Sequence, residues 1–491
     1  MTAATWMVFG TSSDAGKSTI VAGLCRAIAN RGLSVAPFKA QNMARNAYVC
    51  ADGGEIGVAQ AVQAFAARVT PCVDHNPILL KPEPGMRSQL VVHGKSQGSL
   101  SFREILERGP QLKAALTEAL TRLRARHEIL ILEGAGSPAE VNLQARDLPN
   151  LAATRAADAQ VLLVADIDRG GVFASVLGTL ELLPSDIRSR VRGVIINKFR
   201  GERALLEPGL DFIAQRSGVP VLGVVPFLDD LALPDEDSLA LARHRGRPRA
   251  ELNQLEIAVV DTPCLANFED MLPLAREPGV SLRLTAAPRE LLEADLVILP
   301  GSKSTLHDLE FLRSHGLDRA LARRAQRQEP ILGICGGAQI LGTRIDDPDA
   351  IESQTSAATA LGLLPHRTRY ELPKLTRQVS GHWLLASDAR IDGFWLHHGR
   401  MFDAAEPLVR LDDGEPEGSR QGAVMATMLH RVFDHESARA AFLAWLREKR
   451  GLPSSVTPPE PQEDPYDRLA RQLAAALDWP RLESMLRSSS K

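Results

Sequence analysis

Short apolar runs alternate with helix-like stretches along most of the chain. The first set comprises WMVFG (6–10), EILILEGAG (128–136), AQVLLVADID (159–168), VRGVIINKF (191–199) and PVLGVVPF (220–227). A strand covered on both faces has no polar side to show. Runs of Val, Ile and Leu without alternation therefore predict buried parallel strands joined by crossover helices, and one α/β domain over residues 1–230. Residues 231–254 are charged and broken by Pro and Gly, the composition of a connector. A second set, LEIAVVD (255–261), ADLVILPGS (294–302), PILGICGGAQ (330–339) and GAVMATMLH (422–430), predicts another largely parallel sheet flanked by helices over 255–450. Residues 451–491 read as a proline-rich linker and a helix, YDRLARQLAAALDW (466–479), whose Leu and Ala recur at helical spacing and are expected to dock on the body.

Composition removes several classes of function. The formal net charge is −3, and no run of Lys or Arg is dense enough to follow a nucleic acid. No apolar stretch reaches the length of a bilayer, and MTAATWMVFG lacks a basic leader, so an untargeted protein is expected. The five cysteines include no C-x-x-C pair. Neither a disulfide framework nor a thiolate zinc site is indicated, and a reducing cytoplasm fits.

The segment VFGTSSDAGKST (8–19) sits between a strand and a helix, where a glycine-rich loop turns backbone N–H groups and a helix N-terminus toward phosphate. Five residues, not four, separate Gly10 from Gly16. Gly10, Thr11, Asp14, Ala15, Gly16, Lys17, Ser18 and Thr19 are expected to hold ATP, with Lys17 at the terminal phosphates and Ser18 on a magnesium ion. Open parallel sheets place ligand groups at the carboxyl ends of their strands. Glu133 is such a residue and a candidate Mg²⁺ ligand, with Asp52 as a further one. Asn197 and Lys198, ending another strand, suit an adenine edge.

In the second domain Cys335 lies between a strand and a helix beginning near Gly337, on a turn flanked by glycines. A helix N-terminus stabilises a thiolate there, and small neighbours permit a strained elbow. Of His397, His398, His430 and His435, His430 closes an apolar run and is the expected base. Gly301 and Gly336 would lend N–H groups to an oxyanion. Cys335, His430 and Gly301 are the elements of a class I glutamine amidotransferase, while the front loop resembles the ATP loop of dethiobiotin synthetase.

The segments KAQNMARNAYVCADGGEIGVAQAVQA, NPILLKP, EGAGSPAEVNL, LLVADIDRGGVFAS, PGSKST, GICGGAQILG and HHGR resemble the cobyric acid synthase family in order and across nearly the whole chain. The resemblance implies a P-loop NTPase-like domain followed by an amidotransferase domain that has its cysteine and histidine but lacks the usual third acidic residue. It implies glutamine- and ATP-dependent amidation of the b, d, e and g carboxylates of adenosylcobyrinic acid a,c-diamide; because ammonia made at Cys335 must stay unprotonated and out of bulk water, a protected path for it is expected. It also makes Asn42, Asn46, Glu55, Asp166, Asp168 and Arg169 candidate substrate contacts. The expected partners are the corrinoid polycarboxylate, glutamine and ATP, with a homo-oligomer admitted. Several positions depart from the family pattern: Val58 stands where arginine is usual, Ala338 where an aromatic is usual, Arg431 where glycine follows the histidine, and GFWLHHGR lacks the expected Tyr-Glu-Ile before its histidines. Val58 would remove a carboxylate partner, and Arg431 would crowd the base, leaving a synthetase half still able to use free ammonia. The competing readings are a synthetase for the a and c carboxylates or another polyacid, and a non-catalytic P-loop scaffold. NMARNAY and DIDRGG favour the first-named amidation.

Overall fold

A computed structural model describes residues 3–83, 86–228, 245, 254–353, 355–385, 389–453 and 463–488. The expected connector at 231–254 lies outside these apart from Arg245 and Gln254, as does most of the proline-rich linker. The chain divides into two compact units, Met1–Cys50 with Gly54–Pro234 and Pro461–Lys491, and Ala51–Gly53 with Asp235–Glu460.

The first unit is built on β1 (Ala4–Gly10), β2 (Val35–Phe38), β3 (Ile129–Glu133), β4 (Gln160–Asp166), β5 (Val191–Phe199) and β6 (Val221–Pro226). They form one sheet in the order β6-β5-β4-β1-β3-β2, every pair parallel. The absence of alternation in WMVFG now has its cause. Met7 and Phe9 enter a core on one face of the sheet, Trp6 and Val8 a core on the other. Reversal of strand order around β1 brings the ends of β1, β3, β4 and β5 together, where such sheets bind ligands. Gln41–Met43, which holds the candidate contact Asn42, pairs with Ile78–Glu83 in a separate four-stranded sheet.

Helix α1 (Lys17–Ala29) follows the glycine-rich loop and α2 (Val58–Ala66) packs against it. The C-terminal α3 (Pro465–Ala476) and α4 (Trp479–Ser488) belong to this unit and not to the one that precedes them in sequence. Leu469 and Leu473 of α3 are buried in the same core as Ile20 and Leu24 of α1. Arg26 of α1 is 5% exposed and reaches Asp464 at 2.8 Å, with the Tyr466 ring 5.2 Å from its guanidinium. Leu477 bridges to Gly223 of β6, and the Asp478 N–H donates to the Leu222 carbonyl.

The second unit holds a sheet of β7 (Leu255–Val260), β8 (Val280–Thr285), β9 (Leu296–Leu299), β10 (Ile331–Ile334), β13 (Ser419–Gln421) and β14 (Val424–Thr427) in the order β8-β7-β9-β10-β14-β13. Only the edge strand β13 is antiparallel. A second, seven-stranded sheet contains the long hairpin of β11 (Arg367–Trp383) and β12 (Arg390–Phe402), and short β15 (Leu429–His430) pairs with β12. The sequence reading did not foresee this sheet, because its strands mix arginine and histidine with their apolar residues. Among the described residues no helix is long and apolar enough to cross a membrane.

Leu473 is fully buried against α1, so Leu473→Ala should cost about 2–4 kcal/mol through lost burial and the cavity left behind. Urea unfolding of the intact chain checks this.

Candidate active sites

At the end of β1 the loop is pinned from below. The Thr11 N–H donates to the Val164 carbonyl, and Lys17 bends back so that its Nζ donates to the carbonyls of Ser12 at 3.0 Å and Gly136 at 2.9 Å. Gly16 has φ +92°, and a Cβ there would sit 2.1 Å from Asn197 Nδ2. Only glycine satisfies both conditions. The Asn197 amide nitrogen donates to the Ala15 carbonyl at 2.9 Å, and Lys198 Nζ donates to the Asp14 carbonyl at 2.5 Å and to Asp166 Oδ2 at 2.9 Å. Both residues are the ones expected at an adenine edge. Their nitrogens are engaged in bracing the loop, since the end of β5 lies directly beside it.

Glu133, at the end of β3, is buried with three partners. Ser18 Oγ donates to Oε1 at 2.8 Å, Lys39 Nζ to the same oxygen at 2.7 Å, and Gln63 Nε2 to Oε2. Burial alone would raise its pKa, but the Lys39 charge and the three hydrogen bonds hold it below the usual carboxylate range. Lys39 and Gln63 escaped the sequence reading. Lys39 follows a strand, in PFKAQNM, as a ligand residue should; Gln63 on α2 carries no such signal. Ser18 and Glu133 present adjacent hard oxygens suited to Mg²⁺. Asp52, the further expected ligand, belongs to the second unit. It is exposed on the turn Ala51–Gly53, and no group of three or more acidic, His or Cys side chains suited to a metal occurs among the described residues.

The substrate candidates fall into two sets. Glu55 is 1% exposed and ion-paired with an equally buried Lys81, so it is an internal charge and not an open contact. Asn42 is buried, and Asn46 is half-buried. Asp166, Asp168 and Arg169 lie after β4. Arg169 reaches Asp14 at 3.0 Å and Asp166 at 3.7 Å, and Arg200 reaches Asp168 at 3.4 Å. This group links the phosphate loop to the DIDRGG turn. Thr19, next to Ser18, lies half-buried in the first turn of α1.

In the second unit Cys335 follows β10 with φ 49° and ψ −105°, the strained backbone of an elbow. Its N–H donates to the Thr427 carbonyl at 2.8 Å. The short helix Gly336–Leu341 begins at once, and its first amide, Gly336, has no intrahelical acceptor. Cys335 lies close enough to His430 for its charge to act on the ring. A Cβ on Gly301 would lie 3.2 Å from His430 Cε1, so the small residue leaves room over the ring. Two of the other candidate histidines are occupied elsewhere. His397 bonds the Gly399 carbonyl and is pushed down to about 3 by burial, while His435 caps the helix Glu436–Arg450.

The expected lack of a third acidic residue is overturned. Asp270, fully buried 160 positions upstream, takes His430 Nδ1 at 2.7 Å on Oδ2 and the Arg431 N–H at 2.8 Å on Oδ1. Burial would lower His430, but the charges of Asp270 and Cys335 push it up to about 10. A histidine oriented by a carboxylate beside a cysteine is the arrangement that activates a sulfur nucleophile. Beside Asp270, burial raises Glu269 to about 8, with the Asp270 charge adding to the shift.

One departure from the family pattern acquires a reason here. Arg431 has φ +64°, a conformation that favours glycine. Its backbone is held by Asp270 and its side chain turns to Asp434 at 2.5 Å, so the histidine is not displaced. Ala338 is buried in the core under β10. Val58, also buried, opens α2.

Two family models match the chain: the CobQ/CobB/MinD/ParA nucleotide binding domain over residues 6–240 and the CobB/CobQ-like glutamine amidotransferase domain over 256–438. Similar curated proteins include the cobyric acid synthases of Sorangium cellulosum (strain So ce56), 47% identical over 99% of both chains, and of Moorella thermoacetica (strain ATCC 39073 / JCM 9320), 45% identical over 98% of this chain and 96% of that one. That of Rhodococcus jostii (strain RHA1) is 44% identical over 98% and 95%.

Asp270→Asn should lower the His430 pKa by about 1–3 units, the usual effect of an adjacent opposite charge, read from the histidine ring signals in an NMR titration. Because the folded value of about 10 exceeds the free value of about 6.5, the Asp270 pairing stabilises the fold fully below about pH 6.5. That stabilisation is lost as pH rises through the folded value. The stability difference between wild type and Asp270→Asn should shrink accordingly in alkaline urea titrations.

Proposed function

The chain belongs to the cobyric acid synthase family, and we propose that it amidates the b, d, e and g carboxylates of adenosylcobyrinic acid a,c-diamide with ATP and glutamine. The observation that carries this reading is the presence of a phosphate loop with a buried acidic centre and a Cys335–His430–Asp270 constellation in a chain whose relatives match over nearly their whole length.

A carboxylate resists ammonia because oxide is a poor leaving group. Transfer of the ATP γ-phosphoryl group converts it to an acyl phosphate, and attack by ammonia then gives the amide and inorganic phosphate. Lys17 and the loop amides are assigned to offset charge on the phosphoryl group in flight. Magnesium would be held by Ser18 and Glu133, and it would screen the phosphate oxygens. Lys39 and Gln63 keep Glu133 ionised and aimed for that task. In the second unit the Cys335 thiolate attacks the glutamine side-chain carbonyl. His430 protonates the departing ammonia, and water then releases glutamate from the thioester. Asp270 holds the ring and its charge through these steps, and the Gly301 and Gly336 amides are assigned to the oxyanion. A cytoplasmic setting keeps Cys335 reduced, in line with five free cysteines.

The purified protein supplied with the a,c-diamide, ATP, Mg²⁺ and glutamine should show four successive amidations by mass spectrometry. Cys335→Ala should abolish the glutamine-driven reaction and leave the ammonia-driven one, whereas Lys17→Ala should suppress both. An inert wild type under either nitrogen source would favour the scaffold reading.

A further inference from the structure

The residues just before His430 change sheets. Strand β14 ends at Thr427 in the parallel sheet, and β15 begins at Leu429 against β12 in the antiparallel one. At such a crossing the backbone N–H groups leave one ladder before joining the next, and buried amides demand acceptors. Glu417 supplies them. It is 4% exposed, accepts the Met428 N–H at 2.7 Å on Oε1 and the Thr427 hydroxyl at 2.8 Å on Oε2. That hydroxyl in turn accepts the Leu429 N–H at 3.1 Å. The carbonyl of the same Thr427 receives the Cys335 N–H. One carboxyl thus braces the backbone from which both reactive side chains hang.

We propose that Glu417 is a positioning residue for the Cys335–His430 pair, acting as a hydrogen-bond bracket across the sheet change at Met428. The inference rests on the reading of that pair as a glutaminase. No basic partner of Glu417 occurs among the described contacts, so the bracket works through its acceptors and not through an ion pair.

The test uses the full chain with three readouts: glutaminase kinetics, ammonia-driven amidation, and the rate of Cys335 alkylation by iodoacetamide followed by peptide mass spectrometry. Glu417→Ala should lower glutaminase kcat and Cys335 alkylation about tenfold or more, the usual effect of losing a supporting partner, with KM for glutamine and ammonia-driven amidation unchanged. Glu417→Gln, which keeps an acceptor for Met428, should restore most of both rates. Should Glu417→Ala fail to fold, Thr427→Val gives the same direction of change with smaller size. Wild-type rates in Glu417→Ala or Thr427→Val, a Gln variant as poor as the Ala variant, or a parallel fall in ammonia-driven amidation would each overturn the bracket. A wild type that hydrolyses no glutamine, together with slowed alkylation in Glu417→Ala, would overturn the glutaminase reading and uphold the bracket.

Discussion

A carboxylate inside a protein stays ionised only when its neighbours replace the water it has lost. Both reactive centres of this chain are organised around that constraint. Glu133 is kept charged by Lys39, Ser18 and Gln63, and Asp270 is matched by the His430 ring and the Arg431 amide. In each case the partners come from elements distant in sequence, helices and strand ends that the fold brings to one place. The fold therefore matters to the chemistry mainly as a device for converging charge.

Much of this was readable before any coordinates. Uninterrupted apolar runs announced the parallel strands, and strand-end positions singled out Glu133, Cys335 and His430. What escaped was set by tertiary proximity. Asp270 lies in NFEDML, with nothing local to tie it to a histidine 160 residues later. Gln63 sits among the alanines of α2, and the polar strands β11 and β12 lack the run that marked the others. Asn197 was placed correctly at a strand end, but the direction of its amide depends on the loop packed against it.

Arg431 shows how a departure from a family pattern is accommodated. Glycine is favoured after the histidine because the backbone turns through positive φ, not because a side chain would block the base. A larger residue bears a local conformational cost there, which the bonds to Asp270 and Asp434 help to offset. The ring geometry survives because the restraint acts on the backbone.

The position of α3 in the fold orders events during translation. Residues 465–476 complete the packing around α1, yet a ribosome reaches them only after the whole amidotransferase segment has been made. Nascent chains fold from the N-terminus as they emerge, so the nitrogen-releasing half can mature while the acid-activating half still lacks its last buttress. The unit that begins first is thereby the one completed last.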